Sequence, residues 1–106
     1  MKESSICAII NQLFEIERKL ETNDRGTGAE RHLNRIKTYL SMEGYHYHDP
    51  LHEAYDLTRT DCEATLIGEK GESWIISEVI KPIIWKEANG QRNMVQQAVV
   101  LAEPSN

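Results

Sequence analysis

The spacing of apolar residues changes once along this chain, near residues 45–50, and that change limits the fold more than any other feature. Upstream, Ile6, Ile9, Ile10, Leu13, Ile16 and Leu20 recur at offsets of 0, 3, 4, 7, 10 and 14, one stripe of an α-helix. Ser4 or Ser5 is placed to cap its start, and Lys19 sits near its end, where a cation suits the helix dipole. "NDRGTG" (23–28) reads as a turn. A second helix follows, with Ala29, Leu33, Ile36 and Leu40 spaced by 4, 3 and 4, and Gly44 stops it in the C′ position. Downstream, Pro50 ends any helix. "EATLIG", "SWIISEVIK", "KPIIWKE" and "MVQQAVVLA" are short, rich in β-branched residues and bounded by turn signals. "EKGE" (69–72) and "ANGQ" (88–91) read as hairpin turns, the second carrying Asn-Gly. Pro82 belongs at an edge or a bulge, and Pro104 ends the last strand. The expectation is an α+β chain: a helical hairpin over residues 1–46, then a small antiparallel β domain of four to six strands over residues 47–106.

The hairpin is too small to stand alone. Burying the aliphatics of the first helix returns less than ordering its backbone costs, and the second helix has a thinner stripe. Its Ile-rich face must therefore pack on more than its hairpin partner. Two solutions remain open. Two hairpins pair into a four-helix bundle, or the first helix lies across the sheet of its own chain.

Charge and length narrow the function classes. The 106 residues support one domain, or one small domain with a helical piece, and a modest core. The net charge of −5 and the lack of a basic stripe argue against nucleic-acid binding. No run approaches the ~18 apolar residues of a membrane span. "MKESSICAIINQ" makes a poor signal peptide, so Cys7 and Cys62, which have no motif spacing, are expected to be free thiols in the cytoplasm.

The densest chemistry lies in "YHYHDPLHEAY" (45–55), with three histidines, two aspartates and a glutamate counting through Asp56. His46-x-His48 would place two rings on one face of a strand, with Asp49 and His52 nearby, a set that zinc accepts. The arrangement lacks a specific motif, however. "HEAYD" has Asp56 where the helical two-histidine zinc motif needs its second His. Nor does His52 with Asp49 or Glu53 have a nucleophile in a recognisable setting; no serine elbow or phosphate-cradling loop is present. The expectation is no metal, no cofactor and no enzyme.

The same stretch carries a resemblance. "DPLHEAY" (49–55) resembles the "DP-x-x-H-E-A" signature of GrpE proteins, the nucleotide exchange factors of DnaK-type chaperones. "IINQLFEIERKLE" (9–21) and "GAERHLNRIKTYLSMEGY" (28–45) resemble the two bundle helices of that family, and "ISEVIKPIIWKEANGQRNMVQQAVV" (76–100) resembles its closing hairpin. The order of these segments extends the resemblance over most of the chain.

The resemblance implies a homodimer in which each chain gives two short helices to a four-helix bundle, through Ile6, Ile9, Ile10, Leu13, Ile16, Leu33, Ile36 and Leu40. It implies a β domain that binds the ATPase domain of a DnaK-type chaperone, opens its nucleotide cleft and releases ADP. Asp49, Pro50, His52, Glu53 and Ala54 would then be architectural: Asp49-Pro50 turns the chain, His52, Glu53 and Ala54 begin the first strand, and His52 bonds backbone or carboxylate across the junction. Ile80, Arg92 and Ala102 match chaperone-facing positions. The chain departs from the family in three places. The helical hairpin starts within a few residues of Met1, without the long coiled coil. Pro82, Ile83, Ile84 and Trp85 replace the glycine and aromatic of the closing hairpin. Gln96 stands where arginine is common.

Overall fold

The structure, a computed structural model, describes residues 1–23, 28–69 and 73–105. Two helices come first, α1 (Glu3–Asn23) and α2 (Ala29–Met42). Seven strands follow: β1 (Tyr45–His48), β2 (Ala54–Tyr55), β3 (Cys62–Leu66), β4 (Trp74–Lys81), β5 (Ile83–Ala88), β6 (Gln91–Gln96) and β7 (Ala98–Pro104). The chain is α+β with an N-terminal helix pair. It divides into two compact units, Met1–His46 with Trp85–Asn93, and Tyr47–Ile84 with Met94–Asn106. The tip of the β5–β6 hairpin thus groups with the helices rather than with the remaining strands.

In the first unit both helices form where the spacing predicts; of the apolar stripes, Ile10, Leu13 and Leu33 are buried. Phe14, off the expected stripe, is buried too, at 3% exposure, and Arg18 one turn on lies over its ring. An aromatic ring widens the buried face beyond the narrow seam that the isoleucines mark. Ser4 and Ser5 do not cap α1. The helix already runs from Glu3, and the Lys2 carbonyl accepts the N–H groups of Ser5 and Ile6. Lys37 of α2 reaches Glu17 of α1 at 3.1 Å. Gly44 ends α2 at φ +90, and its carbonyl accepts the N–H of Glu87 at 2.8 Å. A side chain at Gly44 would meet the Glu87 carbonyl oxygen at 2.5 Å, so only glycine suits this approach. The Asn-Gly turn forms as expected. Asn89 and Gly90 take φ of +55 and +76, the pair of positive values a two-residue hairpin needs.

The second unit departs more from expectation. Its four-stranded sheet has the order β2-β4-β7-β3, and a three-stranded sheet has the order β1-β5-β6. β3 pairs with β7 in parallel, so the sheet is mixed rather than purely antiparallel. β3 and β4 are not neighbours, which removes the hairpin expected around 69–72; residues 70–72 themselves lie outside those described. β7 sits between β3 and β4 because its alternate residues Ala98, Val100 and Ala102 are fully buried, as a central strand requires. "MVQQAVVLA" supplies two strands, broken at Gln97, and β1 adds another within the histidine-rich stretch. Pro82 is buried between β4 and β5, just after a register shift between Val79 and Lys81, and its carbonyl accepts from Gln96 Nε2 at 2.9 Å. Pro104 closes β7.

Candidate functional site

The stretch 45–55 belongs to both units. In the first unit, Tyr45 is buried, with the Lys86 ammonium 4.4 Å from its ring centre and donating to its hydroxyl at 3.2 Å. His46 lies 3.8 Å from Glu87. In the second unit, Asp49 Oδ1 accepts the Leu51 N–H at 3.0 Å, which shapes the turn, and Pro50 is fully buried. His52 takes φ +70, a left-handed conformation that histidine tolerates better than most residues. Its N–H donates to Ile76, and the Ile76 N–H returns to Glu53, both at 2.9 Å. Strand β2 begins at Ala54, so His52 and Glu53 precede it rather than open it. "DPLHEA" also has one residue fewer between proline and histidine than the signature it resembles.

Glu53 anchors an ion-pair cluster that the sequence reading missed. Its carboxylate receives His48 Nε2 and, at 2.7 Å, Arg59. Arg59 also donates to Asp61 at 2.6 Å and to the Ala54 carbonyl at 3.0 Å. Burial would raise the Glu53 carboxyl, but the hydrogen bonds from Arg59 and His48 outweigh it and hold it below the usual range. Asp61 is held low by its bond from Arg59. Cys62, next along, is buried, and burial pushes its thiol up to about 11. Among the described residues no group of three or more His, Cys, Asp and Glu is arranged to hold a metal ion. His48, the best-placed ring, has a carboxylate for a partner. The only available signal was the compact run of carboxylates either side of Arg59.

The expected partner-facing residues fall in different places. Ile80 sits at the β4 register shift and is 47% exposed, turned out as a bulge residue can be. Ala102, in the same unit, is fully buried and offers no surface to a partner. Arg92 belongs to the first unit, exposed, with its guanidinium over Trp85 at 4.6 Å. That stacking holds the side chain at the hairpin tip.

The helical candidates split as well. Ile10, Leu13 and Leu33 are buried within the chain, whereas Ile9, Ile16 and Ile36 are 46%, 49% and 40% exposed. Ile6 and Leu40 are half-buried, and line with Met1, Ile9, Glu43, Tyr45 and Lys86 a cavity of about 520 Å³. Tyr39 and Met42 extend the uncovered apolar surface of α2. None of the described helices is long and apolar enough to cross a membrane.

No family model, no curated protein and no solved structure matches this chain.

Proposed function

We propose that the chain is a short GrpE-like cochaperone of the cytoplasm, which dimerises through its helices, binds the ATPase domain of a DnaK-type chaperone and promotes ADP release. The observation that carries this reading is the exposure of Ile9 and Ile16, two turns apart on α1, and of Ile36 on α2, in a helix pair followed by strands. Exposed aliphatics on both helices suit packing against a second hairpin. The exchange factor performs no covalent chemistry in this reading. It favours the open, nucleotide-poor form of its partner and shifts that population. Ile80 and Arg92 are the contact residues; Ala102 is withdrawn from that role by its burial.

A second reading has its own support. The buried Ala102 and the shortened signature favour a module that kept the dimer and the strands but binds another protein without exchange activity. Binding to a purified DnaK-type ATPase domain separates the two. The cochaperone reading expects a complex that nucleotide dissociates and that Arg92→Glu weakens while the fold persists. Absence of any complex, with the protein folded, would move the assignment to the second reading.

A further inference from the structure

Charge is distributed very unevenly along this chain. The unit formed by Tyr47–Ile84 and Met94–Asn106 contains nine acidic side chains against three basic ones. That excess of six exceeds the whole protein's net −5. One of the three, Arg59, is already held by Glu53 and Asp61.

Among the described residues of the same unit, β3 is the last strand of its sheet and pairs with β7 alone. The Asp61 carbonyl accepts from Ala98 N–H at 3.0 Å, and Ile67 N–H donates to the Ala102 carbonyl at 2.8 Å. In a parallel ladder, alternate residues direct both backbone groups to the same neighbour. Asp61, Glu63, Thr65 and Ile67 therefore face β7, and Cys62, Ala64 and Leu66 direct their N–H and C=O groups outward. Leu66 and Ile67 are 41% and 40% exposed beside this edge. Glu63, Glu69 and Glu103 are exposed, and no ion pair joins them to a described residue. Proteins commonly blunt such an edge with lysine, proline or a covering loop; β3 contains neither lysine nor proline.

We propose that the outer edge of β3 accepts an extended basic segment of another protein as an added strand, with backbone bonds to Ala64 and Leu66, apolar contact at Leu66 and Ile67, and cations against Glu63, Glu69 and Glu103. Added strands gain affinity from the backbone and specificity from alternate side chains. The acidic excess selects a basic occupant and opposes a second copy of this chain, whose own β3 would bring like charge to like. The proposal uses the strand edge, not Ile80, Arg92 or the helices, and goes beyond the cochaperone reading.

The test uses the full chain and a fluorescent heptapeptide alternating lysine or arginine with valine. Saturable binding is expected, weakened about tenfold between 0.05 and 0.5 M salt as screening shortens the reach of the charges. An acidic heptapeptide of the same pattern, or the basic one N-methylated on alternate residues, should not bind. Ala64→Pro removes an outward N–H on an edge strand, where proline is tolerated, and should raise Kd by at least about tenfold. Hydrogen exchange of the unaltered protein gives a reading independent of any variant. The Ala64 and Leu66 amides should exchange rapidly alone and become protected with peptide. Failure of the basic peptide to bind, equal binding of the acidic one, unchanged affinity in folded Ala64→Pro, or protection that appears without peptide at high protein concentration would each overturn the proposal.

Discussion

Replacing Gly44 with alanine should damage this protein far more than an ordinary glycine substitution. The residue is at φ +90, where an L side chain costs about 1–2 kcal/mol. Its new Cβ would lie 2.5 Å from the Glu87 carbonyl oxygen, a backbone atom of β5 that cannot rotate aside. Either the strand or the helix end must move. Movement stretches the 2.8 Å bond from Glu87 N–H to Gly44, and loss of this partly exposed backbone bond costs about 0.5–1.5 kcal/mol. The sum is about 1.5–3.5 kcal/mol, or a fall in Tm of about 6–28 °C for a domain of this size. Gly90→Ala is the internal control. It has φ +76 but no atom within 4 Å of the added carbon, so only the conformational part remains, about 1 kcal/mol. Thermal unfolding followed by circular dichroism at one concentration compares the two. Equal shifts in Tm would refute the close approach of Gly44 to Glu87 as the source of the cost.

Other outcomes follow from the same geometry. Glu53 and Asp61 are held below their ordinary range in the folded protein, so the stability they contribute is present above the unfolded carboxyl range and lost as pH falls through the lower folded values. Arg59→Met should therefore destabilise the protein at pH 7 by about 1–2 kcal/mol and flatten its loss of stability between about pH 5 and 3, read by urea titration at several pH values. With a disulfide reagent at pH 8, Cys62 should react much more slowly than Cys7, since it is buried and its thiol is raised to about 11; mass spectrometry of the two peptides identifies the order. For the proposed dimer, Ile36→Glu places a charge on the exposed helix surface, so sedimentation should show the original chain as a dimer and the variant as a monomer with its helicity retained; a monomeric original chain would contradict the proposed dimer, and a dimeric variant would take Ile36 out of the interface.

The helices were legible because their information is local. The stripe from Ile6 to Leu20 and the stop at Gly44 depend on residues a few positions apart, as does the Asn89-Gly90 turn. Phe14 escaped because periodicity marks the centre of a buried face and not its width. The neighbours of β3 did not follow from its own residues. "EKGE" looks like a hairpin turn, but which strand fills the sheet centre is decided by the burial of Ala98, Val100 and Ala102, far along the chain. Ala98 and Ala102 carry little hydrophobic signal of their own, and only the family resemblance assigns Ala102 to a partner. The histidine-rich stretch suggested ligands because its side chains are clustered in sequence. Folding gives His48 a carboxylate partner, turns His52 into a left-handed corner and sends His46 towards Glu87. The Arg59 cluster assembles from residues six apart around a turn, a spacing with no fixed geometry outside a helix.

The central functional claim meets its most direct test in the release of a fluorescent ADP analogue from a DnaK-type chaperone, measured by stopped flow with and without this protein. As the proposed exchange factor, the chain should speed release in proportion to the protein added, with the acceleration reduced by Arg92→Glu. An unchanged release rate in the presence of intact, folded dimer would contradict it.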